Sequence, residues 1–417
     1  MKPVAGAVVN RPAPPFPALP GTWDVSRRTF LRESLRAAGA LALGAGALPG
    51  TPREALAGRP RPPKGAANYG ALQAADANGI RLPVGFSSRV VAMSGQAPAQ
   101  ASSHVWHGAP DGGAVFPADP GWIYVSNSEV SGAGGGVSAL RMDAAGDVVD
   151  AYPILTGTST NCAGGHTPWG TWLSCEETGS GEVWECDPTA PSQGLVKPAM
   201  GSFKHEAAAV DPFHGHIYLT EDRSDSLLYR FTPSSYPDLS TGLLEAAEVL
   251  GSDPFTWRSV IWHEVPDPNP SGGAAATRDQ VPEASPFNGG EGIFYDQGIV
   301  YFTTKGDNRV WQLDTFTQRL NLLYDKATSP NPILSGVDNV MVTPVKDVFV
   351  AEDGGDLEIV ALTRFGTIVP VLQVTGQGGS EITGPALSPD GTRLYFSSQR
   401  GTSGAGITYE VSGPFLA

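Results

Sequence analysis

The stretch Asp338-Asn339-Val340-Met341-Val342-Thr343-Pro344, closed by Val348-Phe349-Val350-Ala351-Glu352-Asp353, contains the rule by which the rest of the chain is built. An acidic residue opens a short apolar strand, a polar turn reverses it, a second apolar strand returns, and another acidic pair ends the phrase. The same order recurs from Val115-Phe116-Pro117-Ala118-Asp119-Pro120-Gly121 into Trp122-Ile123-Tyr124-Val125-Ser126-Asn127-Ser128-Glu129. It recurs from Glu206 through His216-Ile217-Tyr218-Leu219-Thr220-Glu221-Asp222, from Glu291 through Ile299-Val300-Tyr301-Phe302-Thr303-Thr304-Lys305, and from Glu381 through Leu394-Tyr395-Phe396-Ser397-Ser398. A shorter copy runs from Thr167 to Glu176. Third strands such as Arg309-Val310-Trp311-Gln312-Leu313 and Leu357-Glu358-Ile359-Val360-Ala361 follow in several units. Repeated strand, turn, strand at irregular spacing predicts an all-β, six-bladed β-propeller. Dense Pro and Gly punctuation argues against helices, and the Pro-rich interruption from Glu264 to Gly290 reads as a loop on one face.

Working outward, one propeller domain is expected over 80–417, with an N-terminal extension over 58–79. Residues 1–57 read as an export address: Ser26-Arg27-Arg28-Thr29-Phe30-Leu31, an apolar run from Ala37 to Leu48, and the small-x-small site Ala55-Leu56-Ala57. A Gly-rich apolar run of that length is too short to span a bilayer, so a cleaved twin-arginine signal is expected rather than a membrane anchor. The product is expected in the periplasm or secreted, after passage through the twin-arginine export machinery, and as a monomer.

The 417-residue chain carries 27 Lys+Arg against 42 Asp+Glu, a net charge of −15. Such a surface repels nucleic-acid phosphates and anionic lipid, so neither is an expected partner. Carboxylates in excess suit hard cations instead.

Propeller geometry says where those carboxylates go. Residues that enter the innermost strand of a blade, and residues that leave its second strand, approach one mouth of the central channel. By that rule Asn127, Glu129, Cys175, Glu176, Glu206, Glu221, Asp222, Glu291, Asp338, Glu352, Asp353 and Glu381 converge. So many carboxylates cannot all stay ionised without cations. Calcium suits an all-oxygen set. A thiolate at Cys175 would suit iron or zinc. The three cysteines allow other readings: Cys162 paired with Cys186, or Cys162, Cys175 and Cys186 all buried as reduced apolar residues. There is no GxSxG elbow, Walker A loop or HExxH pair. His205, next to Glu206, reads as an ordinary strand histidine or a support for a metal ligand.

Thr167-Pro168-Trp169-Gly170-Thr171-Trp172-Leu173-Ser174-Cys175-Glu176-Glu177, Gly201-Ser202-Phe203-Lys204-His205-Glu206-Ala207 and the run Glu381 to Gly391 resemble signatures of PhoX-type alkaline phosphatases. The resemblance spans most of the chain beyond the signal. It implies a six-bladed propeller hydrolysing phosphate monoesters with two ferric ions and several calcium ions at the channel mouth. Carried over by motif, it implies Cys175 and Glu206 as iron ligands, and Glu129, Glu176 and Glu291 as calcium ligands. Asp338 and Glu381 would be further ligands, and Asn127 a contact to the substrate phosphate. One departure matters. The family's Arg-Pro-Glu triplet, whose arginine grips phosphate, is Gly289-Gly290-Glu291 here. Lys305 at a channel position, and Arg223 after Glu221-Asp222, are candidates to supply the missing cation. The competing readings are a metal-stabilised, non-catalytic binding propeller and a calcium-dependent propeller hydrolase such as a lactonase.

Overall fold

Strands such as Val348–Glu352 and Trp122–Ser128 are buried at every position, on both faces. A strand can be apolar throughout only if packed layers cover both sides of its sheet, and radially stacked blades provide that. The computed structural model describes residues 69–100 and 102–415, so the export address lies outside the described residues.

Blade 1 comprises Pro110–Pro117, Trp122–Ser128, Gly135–Met142 and Val148–Thr158, and blade 2 Asn161–His166, Trp172–Glu176, Val183–Cys186 and Leu195–Val196. Blade 3 comprises His205–Asp211, His216–Glu221, Tyr229–Ser235 and Asp238–Val249, and blade 4 Gly290–Asp296, Ile299–Thr304, Arg309–Asp314 and Arg319–Asp325. Blade 5 comprises Val337–Val342, Val348–Glu352, Glu358–Leu362 and Ile368–Val374. Blade 6 comprises Ile382–Leu387, Arg393–Ser398 and Ile407–Ser412, and takes its outer strand, Ser87–Met93, from the other end of the chain. That pairing closes the ring with backbone hydrogen bonds. Blades 3 and 4 are hydrogen-bonded into one nine-stranded sheet because Arg258–Glu264 extends blade 3 and pairs with Arg319 and Leu320 on the edge of blade 4. The sheets therefore number five while the blades number six.

The hydrophobic core confirms the blade count. It is divided into six clusters, one between each pair of neighbouring blades. Ile359, Phe349, Phe396 and Tyr409 join blades 5 and 6, for example, and Trp122, Tyr124, Tyr395 and Leu140 join blades 6 and 1. Among the described residues the only helical segments are short 3-10 turns. Cys162, Cys175 and Cys186 are all free and buried, so the Cys162–Cys186 pairing is not formed. No helix among the described residues is long and apolar enough to cross a membrane.

Near the axis the six innermost strands crowd one another, and glycine makes the approach possible. A Cβ at Gly165 would overlap the carbonyl oxygen of Ala208 on the neighbouring inner strand. Gly165→Ala is therefore expected to cost about 2 kcal/mol or more of stability in urea unfolding. Gly378→Ala, where a Cβ meets nothing within 4 Å, should leave the midpoint unchanged.

Candidate metal centre

Each blade repeats one irregularity at the same end of its inner strand. In blade 1 the pairing runs Pro110 with Ser128, then Gly113 with Ser126, so three steps on the inner strand oppose two on its partner. The same extra residue follows Asn161, His205, Gly290 and Val337 in blades 2 to 5. A bulge of this kind releases a residue from the ladder and re-aims its side chain. The residues released are Asp111, Cys162, Glu206, Glu291 and Asp338. In blade 6 the shift falls after Thr383, and the carboxylate comes from Glu381, just ahead of the strand.

A second set stands one residue past the end of each second strand: Glu129, Glu177, Asp222, Lys305, Asp353 and Gln399. The two sets meet. Cys162, Glu177 and Glu206 bring ligand atoms within 4.8 Å of one another, as do Glu206, Glu291 and Asp338. Asp338, Asp353 and Glu381 form a third group, and Asp111, Glu129 and Glu381 a fourth. Shared members, Glu206, Asp338 and Glu381, link the four into one continuous cluster at the mouth.

Burial sharpens the electrostatics. Glu206 is fully buried, accepts a hydrogen bond from Cys162 Sγ at 3.1 Å, and leaves its Oε2 without a partner. Burial, with Glu291 and other carboxylates nearby, raises its pKa well above the usual carboxylate range. Burial and neighbouring carboxylates do the same to Asp111 and Glu291. Burial brings Asp338 up to about 6, Glu177 to about 7 and Glu381 to about 9. Burial, then Asp111 and Glu206, push up the Cys162 thiol. A buried carboxylate oxygen with no donor, inside a ring of like charges, is the arrangement a cation relieves.

Three protein cations reach into the ring. Lys204 Nζ sits between Glu177 Oε1 (2.7 Å) and Asp222 Oδ2 (2.6 Å). Lys305 Nζ sits between Glu291 Oε1 (2.9 Å) and Asp353 Oδ2 (3.1 Å); burial opposes its charge, but Asp338 and Glu291 keep it protonated. Arg400 joins Glu129 Oε2 (2.5 Å) to Glu381 Oε1 (3.2 Å), and Gln399 donates to Asp111 and Glu129.

Of the residues the sequence singles out, Glu129, Glu206, Asp222, Glu291, Asp338, Asp353, Glu381 and Lys305 are brought together here. Six are not. Glu221 accepts from the Tyr229 hydroxyl, and Glu352 from Ser335 N and Glu358 N, so both serve their own blades. Cys175 lies in the core between blades 2 and 3, among Leu173, Val183 and Leu219, because strand alternation turns it away from the axis. Glu176 accepts hydrogen bonds from Ser159 N, Glu182 N and Trp184 Nε1 and shapes its own blade. Asn127 is buried and saturated: Nδ2 donates to the Cys162 and Ala163 carbonyls, and Oδ1 accepts from Trp172 Nε1 and Ser174 Oγ. A carboxamide has no capacity left after four such bonds, so Asn127 buttresses the strand that carries Cys162 rather than meeting a phosphate. Arg223 is exposed outside the ring, beside an adjoining pocket. His205 is a strand histidine: its Nε2 meets the Gly201 carbonyl at 3.0 Å, and its ring stacks on Phe203.

Of the residues missed, Asp111, Cys162, Glu177 and Arg400, three carry a positional signal. Asp111 and Cys162 are the second residues of inner strands that begin at Pro110 and Asn161, and Glu177 stands one residue past its second strand, whereas Arg400 has no such signal. The position that lacks the arginine also has a backbone reason. Gly289 has φ +72, donates its N–H to Arg223 O and accepts from Lys305 N, so a side chain there would be held in a left-handed conformation.

A thiol facing a carboxylate at one end, with all-oxygen groups around the rest, is a donor set for a soft or borderline ion next to hard ones. The family model "Alkaline phosphatase PhoX" matches residues 123–184 and 179–310. Among solved structures, Pseudomonas fluorescens PhoX in complex with vanadate, a transition state analogue, is 16% identical, with 83% of this chain and 98% of that chain covered and a TM-score of 0.67. A Xanthomonas campestris gluconolactonase is 13% identical, with coverage of 84% and 99% and a TM-score of 0.49. No curated protein matches by sequence. Fold, site and family model together define a metal-dependent β-propeller phosphohydrolase. Over residues 123–184 and 179–310 the chain matches the PhoX-type alkaline phosphatase family.

The raised carboxylates set a pH dependence whose sign follows from linkage. Groups that hold protons in the folded chain but lose them near pH 4 when unfolded favour folding at low pH, and that contribution is lost as pH rises through their folded values. The metal-stripped protein should therefore lose thermal stability between pH 5 and pH 9, through the Asp338, Glu177 and Glu381 values of about 6, 7 and 9. Added calcium should raise Tm most at the upper end of that range, measured by calorimetry.

Proposed function

We propose that this alkaline phosphatase binds iron at the Cys162, Glu177 and Glu206 end of the cluster and calcium at the all-oxygen groups. The observation that carries the reading is the buried thiol–carboxylate contact between Cys162 and Glu206, continuous with three carboxylate triads. Sulfur is a ligand that calcium does not favour and that iron accepts, whereas Asp111, Glu129, Asp338, Asp353 and Glu381 offer only oxygen. When bound, such ions neutralise phosphate oxygens and supply an activated water for attack on phosphorus.

The chain's own cations complete the site. Lys305 and Arg400 flank the Asp338, Asp353 and Glu381 group from blades 4 and 6, and both side chains keep access to solvent, at 34% and 46% exposure. They are placed to hold the phosphate dianion of a small monoester, with the planar Arg400 fork taking over the role of the arginine absent at position 289. The rigid inner strands keep these groups in place without closure of a domain. Export through the twin-arginine route, with metals loaded before transit, fits the motif at Arg27-Arg28 and the buried position of the cluster.

Two measurements test the reading. Protein purified without chelator is expected to contain iron and calcium by mass spectrometry and to hydrolyse p-nitrophenyl phosphate at alkaline pH. Cys162→Ser should lose iron and activity, whereas Cys175→Ser should keep both; retention of iron by the first variant refutes the assignment. Arg400→Gln should raise KM for p-nitrophenyl phosphate by about tenfold, the weight of one charge-assisted hydrogen bond, with metal content unchanged. Loss of metal without a change in KM would show that Arg400 only neutralises Glu129 and Glu381.

A further inference from the structure

A second concavity, of about 260 Å³, adjoins the metal centre on the side of blades 2 and 3. Its floor is Lys204, the residue that pairs with Glu177 of the Cys162 group. Its wall is Arg223, and its roof is the loop from Pro270 to Arg278. The interruption from Glu264 to Gly290, which the strand grammar leaves unexplained, thus covers one flank of the channel mouth.

The lining is unusual for this chain. Where acidic residues outnumber basic ones 42 to 27, three cations, Lys204, Arg223 and Arg278, face one small volume, with Glu221 as the only acidic residue lining it. Glu221 is fully buried and receives the Tyr229 hydroxyl at 3.0 Å. Arg278 meets Glu221 and Asp225 only at 3.5 and 3.3 Å, longer than a charge-assisted hydrogen bond, and Asp225 is itself exposed. Among the described residues no carboxylate lies within ion-pair distance of Arg223. Two guanidinium groups thus retain donors for a ligand. The roof adds little bulk: Gly272 and Gly273 have open space where a Cβ would stand.

We propose that this pocket receives the alcohol portion of the substrate and selects phosphate monoesters whose alcohol carries a second anionic group, a carboxylate or another phosphate. The inference rests on the phosphatase reading: the ester's phosphate lies at the metal centre, and Lys204 marks the boundary between the two compartments. The second anion then takes up the unused donors of Arg223 and Arg278.

The test compares 6-phosphogluconate with sorbitol 6-phosphate, two linear six-carbon phosphate esters that differ by a terminal carboxylate in place of a hydroxymethyl group. On metal-loaded protein, kcat/KM for 6-phosphogluconate is expected to be about tenfold higher, the worth of one charge-assisted contact. Arg278→Gln should remove the preference while hydrolysis of p-nitrophenyl phosphate stays within about twofold. Because Arg278 also touches buried Glu221, Ala274→Glu on the exposed roof is the second variant, and it should depress turnover of 6-phosphogluconate alone. Equal efficiency on the two sugar esters, with p-nitrophenyl phosphate hydrolysed, overturns the pocket and leaves the phosphatase intact. No hydrolysis of any of the three esters overturns both.

Discussion

The mutual repulsion of carboxylates in a confined, partly desolvated mouth is the constraint on which the rest of this molecule depends. Glu206, Glu291, Asp338, Asp111 and Glu381 lie close enough to share ligand positions, and burial together with their neighbouring carboxylates raises the pKa of Glu206, Glu291, Asp111 and Glu381 well above the ordinary range. Such a cluster is tolerable only with cations at its heart, and Lys204, Lys305 and Arg400 supply part of that charge from the chain itself. The remainder, above all the unpartnered oxygen of Glu206, calls for metal ions.

The propeller holds this unfavourable arrangement in place. Six apolar clusters between neighbouring blades, the strand Ser87–Met93 paired into blade 6, and the cross-link of blades 3 and 4 hold the inner strands in place. Charge repulsion at the axis is opposed by apolar burial around it, and the ring shares the load among all its members. The bulge repeated in five blades converts that rigidity into function, because it releases one side chain per strand toward the mouth without breaking the ladder beyond it.

Departure from the family's motif is local. At Gly289 the backbone is left-handed and bonded to Arg223 and Lys305, a conformation that favours glycine over a residue with a side chain. In this chain Arg400 stands at the mouth, and Arg223 and Arg278 line the pocket beside it. Positive charge therefore extends from the carboxylate cluster toward the volume under the roof loop.

The sequence by itself determined the class of fold, its repeat and most of the acidic ligands, because each is a local pattern. Strand alternation, turn residues and an acidic group at each strand end are visible in any one unit, and Glu129, Glu206, Glu291, Asp338 and Glu381 were legible from them. Tertiary structure decided which neighbour in a pair faces the axis. Cys162 rather than Cys175, and Glu177 rather than Glu176, reach the cluster because side chains alternate along a strand and a single bulged residue reverses which of them point inward. The surroundings of Asn127 are decided for a related reason. Its hydrogen-bond capacity is exhausted by Cys162, Ala163, Trp172 and Ser174, partners on the next blade that only the closed ring brings within reach. Arg400 and the pocket roofed by residues 270–278 arise from packing between segments far apart in the chain, and no spacing within the sequence encodes them.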